Sequence, residues 1–208
     1  MVRVREPAGD VDGPRAGGRP RDATLDEAII LATRDRLVRD GYSKMTIGDI
    51  VADAGVTRPT LYRRWRNKFE LVVDALDYGF RKQGDMYTVD LSRLEPRDAF
   101  LEAVRRVDPA YYNPDAMVLM GNFAGEARRT PELLEILRRH AVEPRVALVE
   151  RVLAELQEHR AVRSGIDTRA IATMCFGSYF AAFFRGESKN DVPEQVVAVL
   201  WPGILAVT

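Results

Sequence analysis

Apolar side chains recur along this chain at the spacing of α-helices, and no convincing run alternates with the period of two that is typical of a β-strand. In residues 24–40, Ile30, Thr33 and Leu37 fall on one helical face. Thr24 is expected to cap this helix, because an N-cap hydroxyl accepts a hydrogen bond from the first turn. The pattern predicts a first helix over residues 24–40.

Two short helices separated by a tight turn are predicted next. The first covers residues 46–54, and its apolar positions are spaced i, i+3, i+4 and i+7: Ile47, Ile50, Val51 and Ala54. Gly55 permits the positive φ of a tight turn. Thr57 is expected to cap the second short helix, whose inward side is formed by Leu61 and Trp65.

The remainder of the chain is predicted to consist of longer helices, so the fold class is all-α. Residue types suited to helix starts mark where these helices begin: Asn67, Pro96, Pro131, Asp167 and Pro193. Thr130 is expected to cap the helix that starts at Pro131. Pro144 is expected to kink or restart a helix over residues 132–158, because proline removes a backbone donor.

The overall composition indicates a globular protein but no function, whereas the local distribution of charge indicates a candidate contact surface. The 208 residues are 46% hydrophobic and 30% charged, which is typical of a globular protein. Lysine plus arginine equals aspartate plus glutamate at 31 each, so the overall charge indicates no partner. Locally, residues 57–68 carry five basic side chains and no acid. Such a run is typical of a solvated face, or of a nucleic-acid contact.

Cysteine count and charge spacing indicate the compartment. A single cysteine excludes an internal disulfide and a four-thiolate zinc site, and it fits a reducing compartment. The longest uncharged stretch in the C-terminal half, residues 170–184, is shorter than the roughly 20 residues that span a bilayer. We therefore expect a cytoplasmic protein that does not enter a membrane.

Residues 46–68 form a helix-turn-helix pattern whose outward side suits DNA. Arg58, Thr60, Tyr62 and Arg63 lie away from the apolar side of the second short helix. Arginine forms bidentate hydrogen bonds to guanine, and threonine can bond a base or touch a thymine methyl. Tyrosine and lysine donate to phosphate oxygens. These residue types indicate a DNA-binding helix.

The combined pattern resembles the N-terminal domain of TetR-family transcriptional regulators over about residues 22–72. The residues that carry the resemblance are Gly41, Tyr42, Thr46, Ile50, Val51, Ala54, Gly55, Val56, Thr57, Arg58, Thr60, Leu61, Tyr62, Trp65 and Lys68. The resemblance implies a helix-turn-helix head, a variable helical body and no enzymatic activity. It also implies a phosphate contact from Thr46, an aromatic phosphate contact from Tyr62 and a lysine contact from Lys68. The exposed first turns of the recognition helix would be formed by Thr57, Arg58, Pro59 and Thr60.

Several positions depart from the family pattern. Arg63 and Arg64 stand where the family often has tyrosine and histidine, and Pro59 replaces a frequent glycine. Phe69 stands where an acid is common, which leaves the cap of the following helix less certain. Arg36 stands where the first helix is usually apolar.

Three segments follow from this organisation. Residues 1–20 are rich in glycine and proline and are expected to be a disordered basic arm. Residues 21–68 are expected to form the DNA-binding domain, and residues 69–208 the effector-binding and dimerisation domain. Arg19 and Arg21 are expected to enter a minor groove, with a plain disordered tail as the alternative.

The body offers weaker signals. A helix over residues 168–185 is apolar on nearly every side and must be covered all round, which favours a dimer. The residues expected at the dimer interface are Ile171, Met174, Cys175, Val196, Val199 and Leu200. The apolar residues expected to line an effector pocket, with ordinary core packing as the alternative, are Phe80, Phe100, Met117, Met120, Phe123, Leu137 and Phe176.

The sequence therefore predicts a homodimeric repressor that binds a palindromic DNA operator and is released by a small apolar or amphipathic effector, with no cofactor and no metal. An activator or an effector-independent regulator is the alternative. A helical enzyme or ligand carrier is a remote one, since the only histidines are His140 and His159 and no phosphate loop or nucleophile motif occurs.

Overall fold

The computed structural model describes residues 23–81 and 87–206, and within these ranges the protein is helical, with one isolated β-bridge between Val162 and Leu205. The α-helices of the described ranges are α1 (Ala23–Arg39), α2 (Gly41–Lys44), α3 (Ile47–Asp53), α4 (Arg58–Tyr62), α5 (Lys68–Arg81), α6 (Pro96–Arg106), α7 (Ala116–Glu126), α8 (Pro131–Leu137), α9 (Glu143–Glu158), α10 (Thr168–Arg185) and α11 (Val192–Ile204). A π-helical turn (Arg138–Val142) joins α8 to α9, and a 3₁₀ turn (Lys189–Asp191) precedes α11. The all-α prediction is confirmed.

The head is formed by α1 to α4 and the first half of α5. Its apolar faces meet in a core whose fully buried members include Ile29, Leu37, Ile50, Leu61 and Leu71. These residues come from four helices, so each short helix is held by tertiary packing rather than by its own length.

Two details of the head differ from the predictions. Thr24 is the second residue of α1, which begins at Ala23, so the prediction that Thr24 caps this helix is wrong. The one-turn helix α2 was not predicted at all. Helix α1 ends at Arg39, one residue before the predicted end, and Gly41, the first residue of α2, adopts φ +71°.

The body packs α6, α9, α10 and α11 around a second core. Phe100, Leu148, Leu153 and Ala172 are fully buried in it. The ring of Trp201 on α11 stacks on Phe100 with a centroid separation of 6.0 Å. The last helix is therefore fixed against α6 within the same chain.

Most predicted helix starts are confirmed. The prolines expected there lie in the first turns of α6, α8 and α11: Pro96, Pro131 and Pro193. Asp167 caps α10, because its carboxylate accepts a hydrogen bond of 2.9 Å from the backbone N–H of Ala170. Thr130 precedes α8 but makes no side-chain capping hydrogen bond, so that prediction is wrong.

In the middle of the body, the start of α9 agrees with the prediction, whereas α7 does not appear in it. Pro144 lies in the first turn of α9, and the chain restarts there after the π-helical turn, as predicted. Helix α7 was not predicted, and Asp115 in front of it makes no side-chain capping hydrogen bond. Pro114 and Asp115 precede its first residue and are residue types that mark helix starts, so a local signal was present in the sequence.

The two regions share packing where α7 and α8 meet the head. Leu119, Phe123 and Leu133 belong to the same buried cluster as the core of the head. Helix α5 begins in the head and runs into this cluster through Leu76. A displacement of α5 would therefore be felt by the head. None of the described helices is long and apolar enough to cross a membrane.

Candidate nucleic-acid interface

Helix α3 begins with a complete capping box. The Thr46 hydroxyl accepts a hydrogen bond of 3.2 Å from the backbone N–H of Asp49 and donates one of 2.7 Å to the Asp49 carboxylate. The same carboxylate accepts from the backbone N–H of Thr46 at 3.2 Å. These bonds lower the pKa of Asp49, with the Thr46 hydroxyl as the main cause. Thr46 is exposed.

The turn after α3 depends on one glycine. Gly55 adopts φ +64°, and a Cβ at this position would meet no neighbouring atom within 4 Å. The backbone conformation, rather than crowding, therefore favours glycine here. The turn closes with a hydrogen bond of 3.0 Å from the N–H of Val56 to the carbonyl of Val51. It sets the angle between α3 and α4.

Helix α4 is short, and its two ends are fixed by side chains. Thr57 accepts a hydrogen bond of 3.4 Å from the N–H of Thr60, and Pro59 lies in the first turn. Leu61 and Trp65 are buried in the head, and the indole N–H donates to Asp74 on α5 at 3.0 Å. The inward side of α4 is therefore held at both ends, which fixes the direction of its outward side.

The outward side of α4 gathers most of the residues predicted to contact DNA. Arg58, Pro59 and Arg63 are exposed, and half of the Tyr62 surface is accessible. Thr60 is half-buried and accepts a hydrogen bond of 3.3 Å from Arg63. This side presents two guanidinium groups, a phenol and a hydroxyl in one surface.

Arg58 also reaches back towards the start of α3. A Cβ added to Gly48 would lie 3.0 Å from one terminal nitrogen of Arg58 and 3.4 Å from the Thr46 hydroxyl oxygen. Gly48 therefore leaves room for the guanidinium beside Thr46. The structure brings the Arg58 side chain and the α3 cap into one site.

The arginines that depart from the family pattern have structural partners. Arg36 on α1 donates to Asp53 on α3 at 2.6 Å and to Asp40 at 3.0 Å, and the bond from Arg36 is the main reason why the pKa of Asp53 is lowered. Arg64 pairs with Asp26 and also donates to the carbonyl of Thr60 at 3.0 Å. Both arginines fasten α1 to the helix-turn-helix.

Lys68 occupies a different position from the other predicted contacts. Its ammonium donates to the carbonyls of Tyr42 and Met45, at 2.8 and 3.2 Å, and lies 4.3 Å from the centre of the Tyr42 ring. Partial burial lowers its pKa. Lys68 ties the start of α5 to α2, and its phosphate contact stays a prediction.

The start of α5 is capped despite Phe69. The Asn67 side chain accepts a hydrogen bond of 2.8 Å from the N–H of Glu70, and the Glu70 carboxylate accepts one of 2.7 Å from the N–H of Arg66. These reciprocal bonds form an arrangement like a capping box. The predicted cap by Asn67 is confirmed, and Glu70, one residue after Phe69, supplies the reciprocal carboxylate.

Some predicted residues cannot be placed. Arg19 and Arg21, with the arm of residues 1–20, lie outside the described residues. The Phe80 side chain is also outside the described part of the molecule.

The predicted dimer interface divides into two groups. Met174 and Val199 are exposed, by 57% and 77%, and Val196 and Leu200 are half-buried. These four line a groove of about 320 Å³ between α10 and α11. We call this groove and the exposed apolar side chains around it the apolar seam.

Two residues of the predicted interface are corrected. Ile171 and Cys175 point into the core of their own chain and are buried there, so they are not available to a partner. Burial raises the pKa of the Cys175 thiol to about 12. The thiol is therefore protonated at neutral pH and packs as a small apolar group.

The predicted effector pocket is largely ordinary core. Phe100, Phe123 and Phe176 are buried in the two cores and line neither the groove between α10 and α11 nor the cavities beside Tyr179 and Arg145. Met117 lines a cavity of about 250 Å³ beside Tyr179. The remaining nominated residues, Met120 and Leu137, line a small cavity of about 20 Å³.

Sequence analysis missed the buried Arg145. It is 3% exposed and lines the small cavity with Met120 and Leu137. A signal existed, because Arg145 stands four residues after the buried Ala141 and four before the buried Val149, on the apolar side of the helix. Of the two histidines that the sequence offers, His140 lies with its Nδ1 atom 3.4 Å from the carboxylate of Asp77.

The fold and this surface define a helix-turn-helix DNA-binding protein with a helical body. Residues 29–75 match the family model described as bacterial regulatory proteins, tetR family. An HTH-type transcriptional regulator of Mycobacterium tuberculosis is 29% identical over 173 residues, which covers 81% of this chain and 80% of that protein. The DNA-binding transcriptional repressor TetR of Mycobacteroides abscessus is 39% identical over 57 residues, covering 27% of this chain and 30% of that protein.

A solved structure is similar over nearly the whole fold. A protein from Saccharomonospora viridis, assigned as a transcriptional regulator and bound to choline, has a TM-score of 0.73 at 16% identity, covering 88% of this chain and 99% of that chain. At this identity the likeness shows the fold alone. The family match over residues 29–75 and the similarity to an HTH-type regulator along most of the chain identify its N-terminal part as a TetR-family DNA-binding domain and the protein as a transcriptional regulator.

Proposed function

We propose that this protein is a homodimeric repressor that binds a roughly palindromic operator and is released from it by a small molecule. The observation that carries the proposal is the contrast between two exposed surfaces of one chain. The outward side of α4 is basic and hydrogen-bonding, whereas the apolar seam of α10 and α11 is mainly apolar, with the ion pair of Arg185 and Glu187 as the charged part of its lining. Each surface suits a different partner.

The DNA contact follows from the chemistry of α4. Arg58 carries the fork of N–H donors that matches a guanine edge, and neither it nor Tyr62 bonds to another side chain among the described residues. Arg63 and the Tyr62 hydroxyl suit phosphate oxygens. Thr46 shares its hydroxyl with Asp49, so a phosphate at this position competes with a carboxylate for the same donor. We assign the recognition of bases to Arg58 and Thr60, because arginine can bond a guanine edge and threonine can bond a base or touch a thymine methyl.

We propose that a second copy of the chain binds at the apolar seam. A large exposed apolar patch on a monomer marks an interaction surface. Phe184 and Val199 are each more than three-quarters exposed, and Met174 lies beside the same groove. Pairing two such surfaces about a two-fold axis would relate the two α4 helices by the same axis, which demands an operator with two-fold symmetry.

Release requires the ligand to discriminate between two arrangements of the dimer. Helix α5 connects the two regions, because Lys68 at its start bonds to Tyr42 of α2 and Gly79 near its end lines the small cavity that Arg145 also lines. A ligand that displaces the end of α5 would move the head that its start holds. The repressor named in the comparison and the choline-bound structure support repression and ligand response as properties of similar proteins.

The test is selection of genomic DNA by the purified full-length chain, followed by footprinting of the selected site. We expect a protected palindrome with half-sites about one or more helical turns apart. Transcription from a promoter carrying this site should fall when the protein is present. Protection of a single asymmetric half-site by a monomer would contradict the dimer, and a rise in transcription would contradict repression.

A further inference from the structure

The small cavity between head and body is lined by two arginines that come from different regions. Arg34 belongs to α1, and Arg145 belongs to α9. The rest of the lining is the amide of Asn113 and apolar groups such as Leu76 and Met120. Among the described residues that line this cavity, none carries a carboxylate. The space has a strongly positive and otherwise apolar wall.

Arg34 reaches the cavity because α5 carries a glycine there. Its guanidinium lies against Gly79, where an added Cβ would collide with it. One terminal nitrogen donates to the carbonyl of Ala75 at 3.0 Å. Burial lowers the pKa of Arg34, against smaller opposing effects of Asp35 and Tyr78. The head therefore places a desolvated cation on this wall.

Arg145 approaches from the body. Its guanidinium donates to the carbonyl of Ala141 at 2.6 Å, and its central carbon lies 5.2 Å from the centre of the Tyr87 ring. Burial lowers its pKa, partly offset by Tyr87 and Asp108. Asp108 is itself held by Lys189, at 2.6 Å, so its charge is shared.

The buried cation of Arg145 and the half-buried cation of Arg34 face one space and repel each other, because Coulomb interactions strengthen where water is excluded. An anion placed between them removes this repulsion and gains charge-assisted hydrogen bonds. We propose that this cavity anchors the effector, and that the effector is a carboxylate, or a similarly compact anion, attached to an apolar group. This inference rests on the ligand response proposed above and names the chemical class of the ligand.

The size of the cavity connects binding with release. At about 20 Å³ it holds about one water molecule, so a larger ligand must part its walls. The walls are α1 and α5 on one side and α7 and α9 on the other. An anion with an apolar group would therefore separate the Arg34 side from the Arg145 side and shift the head against the body.

The experiment uses the full-length chain and a series of sodium alkanoates from acetate to decanoate, each matched to its neutral primary alcohol. Thermal unfolding without DNA reports binding, and release of the selected operator reports the response. We expect alkanoates of intermediate length to raise the melting temperature by several degrees when their concentration is about a hundredfold above Kd. The matched alcohols should shift it little, and the same alkanoates should release the operator.

Three variants locate the site. Arg34→Gln and Arg145→Met each remove one charge, and each should weaken alkanoate binding about tenfold or more. Gly79→Ala keeps both charges but displaces the Arg34 guanidinium, and alanine favours the helix, so the chain still folds. It should weaken binding like Arg34→Gln. Arg39→Gln is the matched control, because it removes an exposed charge from the same helix and should leave binding unchanged.

The outcomes separate the two proposals. The anion proposal is overturned if alcohols act as well as alkanoates, if the variants respond like the parent, or if no alkanoate binds. If the parent binds its operator and is released only by neutral or cationic compounds, the anion proposal fails and the proposed function stands. If the parent binds no operator, the proposed function fails, and alkanoate stabilisation without DNA still reports on the site.

Discussion

The basic side of α4 and the apolar seam of α10 and α11 are both exposed in a single chain, yet they expose opposite chemistry. The guanidinium groups of Arg58 and Arg63 are exposed to solvent. Such cations suit DNA, because each phosphate that a protein cation neutralises releases a counterion. Val199 and Met174 expose apolar surface that only another apolar surface removes from water. Exposure alone therefore does not identify the partner of a surface, whereas its charge, hydrogen-bonding groups and shape do.

The largest effect is expected from a charge placed in the seam. Val199→Glu buries a carboxylate in each copy of the proposed dimer, which costs about 3–5 kcal/mol per uncompensated charge. Because Val199 is 77% exposed in the single chain, we expect folded monomers rather than unfolded protein. Light scattering measures the mass, and circular dichroism the helix content.

The matched control at this position is Val199→Gln, which has the size of glutamate without its charge. It should weaken the dimer much less than Val199→Glu. A Val199→Glu protein that stays dimeric would move the interface away from α11.

A smaller effect is expected on the other surface. Arg58→Ala should cost about 1–3 kcal/mol of operator binding and relax one base position, because it removes a bidentate contact. The dimer should be unaffected. Arg66→Ala removes an exposed charge just beyond α4 and is the control, with a weaker effect that does not depend on sequence. Selection of DNA by each variant measures both quantities, and equal sequence preference for Arg58→Ala and parent would contradict the placement of α4.

The phenol of Tyr62 should contribute less than Arg58. Tyr62→Phe removes one neutral hydrogen bond to a phosphate, worth about 0.5–1.5 kcal/mol, and leaves the ring in place. Operator affinity should fall modestly at every site sequence, since a phosphate contact carries no base information. A titration with the selected operator and with unrelated DNA checks this. A loss confined to one base pair would mean that Tyr62 reads a base.

The smallest effect concerns the stability of the head. Thr46→Ala removes the capping hydroxyl of α3 and should destabilise the protein by about 1 kcal/mol, measured by urea unfolding. Thr46→Ser keeps the hydroxyl and serves as the control. If Thr46→Ala lost operator affinity far beyond its loss of stability, Thr46 would also contact phosphate.

The helix-turn-helix could be predicted in detail because its signals are local. Thr57 and Asn67 are capping residues at fixed distances from the backbone groups they satisfy, and Gly55 marks the turn. Each signal needs only a few neighbouring residues to be recognised. The structure places the caps where the sequence predicts them.

The body could be predicted only in outline. The sequence of α10 is apolar on every side, so it does not show which side meets the core of its own chain. It predicts Cys175 and Met174 on one surface, whereas Cys175 is buried and Met174 is exposed. Arg145 was missed because its burial depends on Tyr87 and Ala141, which approach from other parts of the chain or from an irregular turn. The spacing of Arg145 from Ala141 and Val149 marks the apolar side of the helix, but the contact with Tyr87 that helps to bury it arises from tertiary packing.

Binding of DNA phosphates by cations of the head and the arm underlies the proposed function, and a salt titration of operator binding measures it. With Arg63, Lys68 and one arm arginine engaged in each subunit, the dimer neutralises about six phosphates, so the slope of log affinity against log salt should be about −5. Affinity should then fall about a thousandfold between 50 and 200 mM salt. A slope between zero and about −1 would contradict the account, because affinity would not depend on these cations.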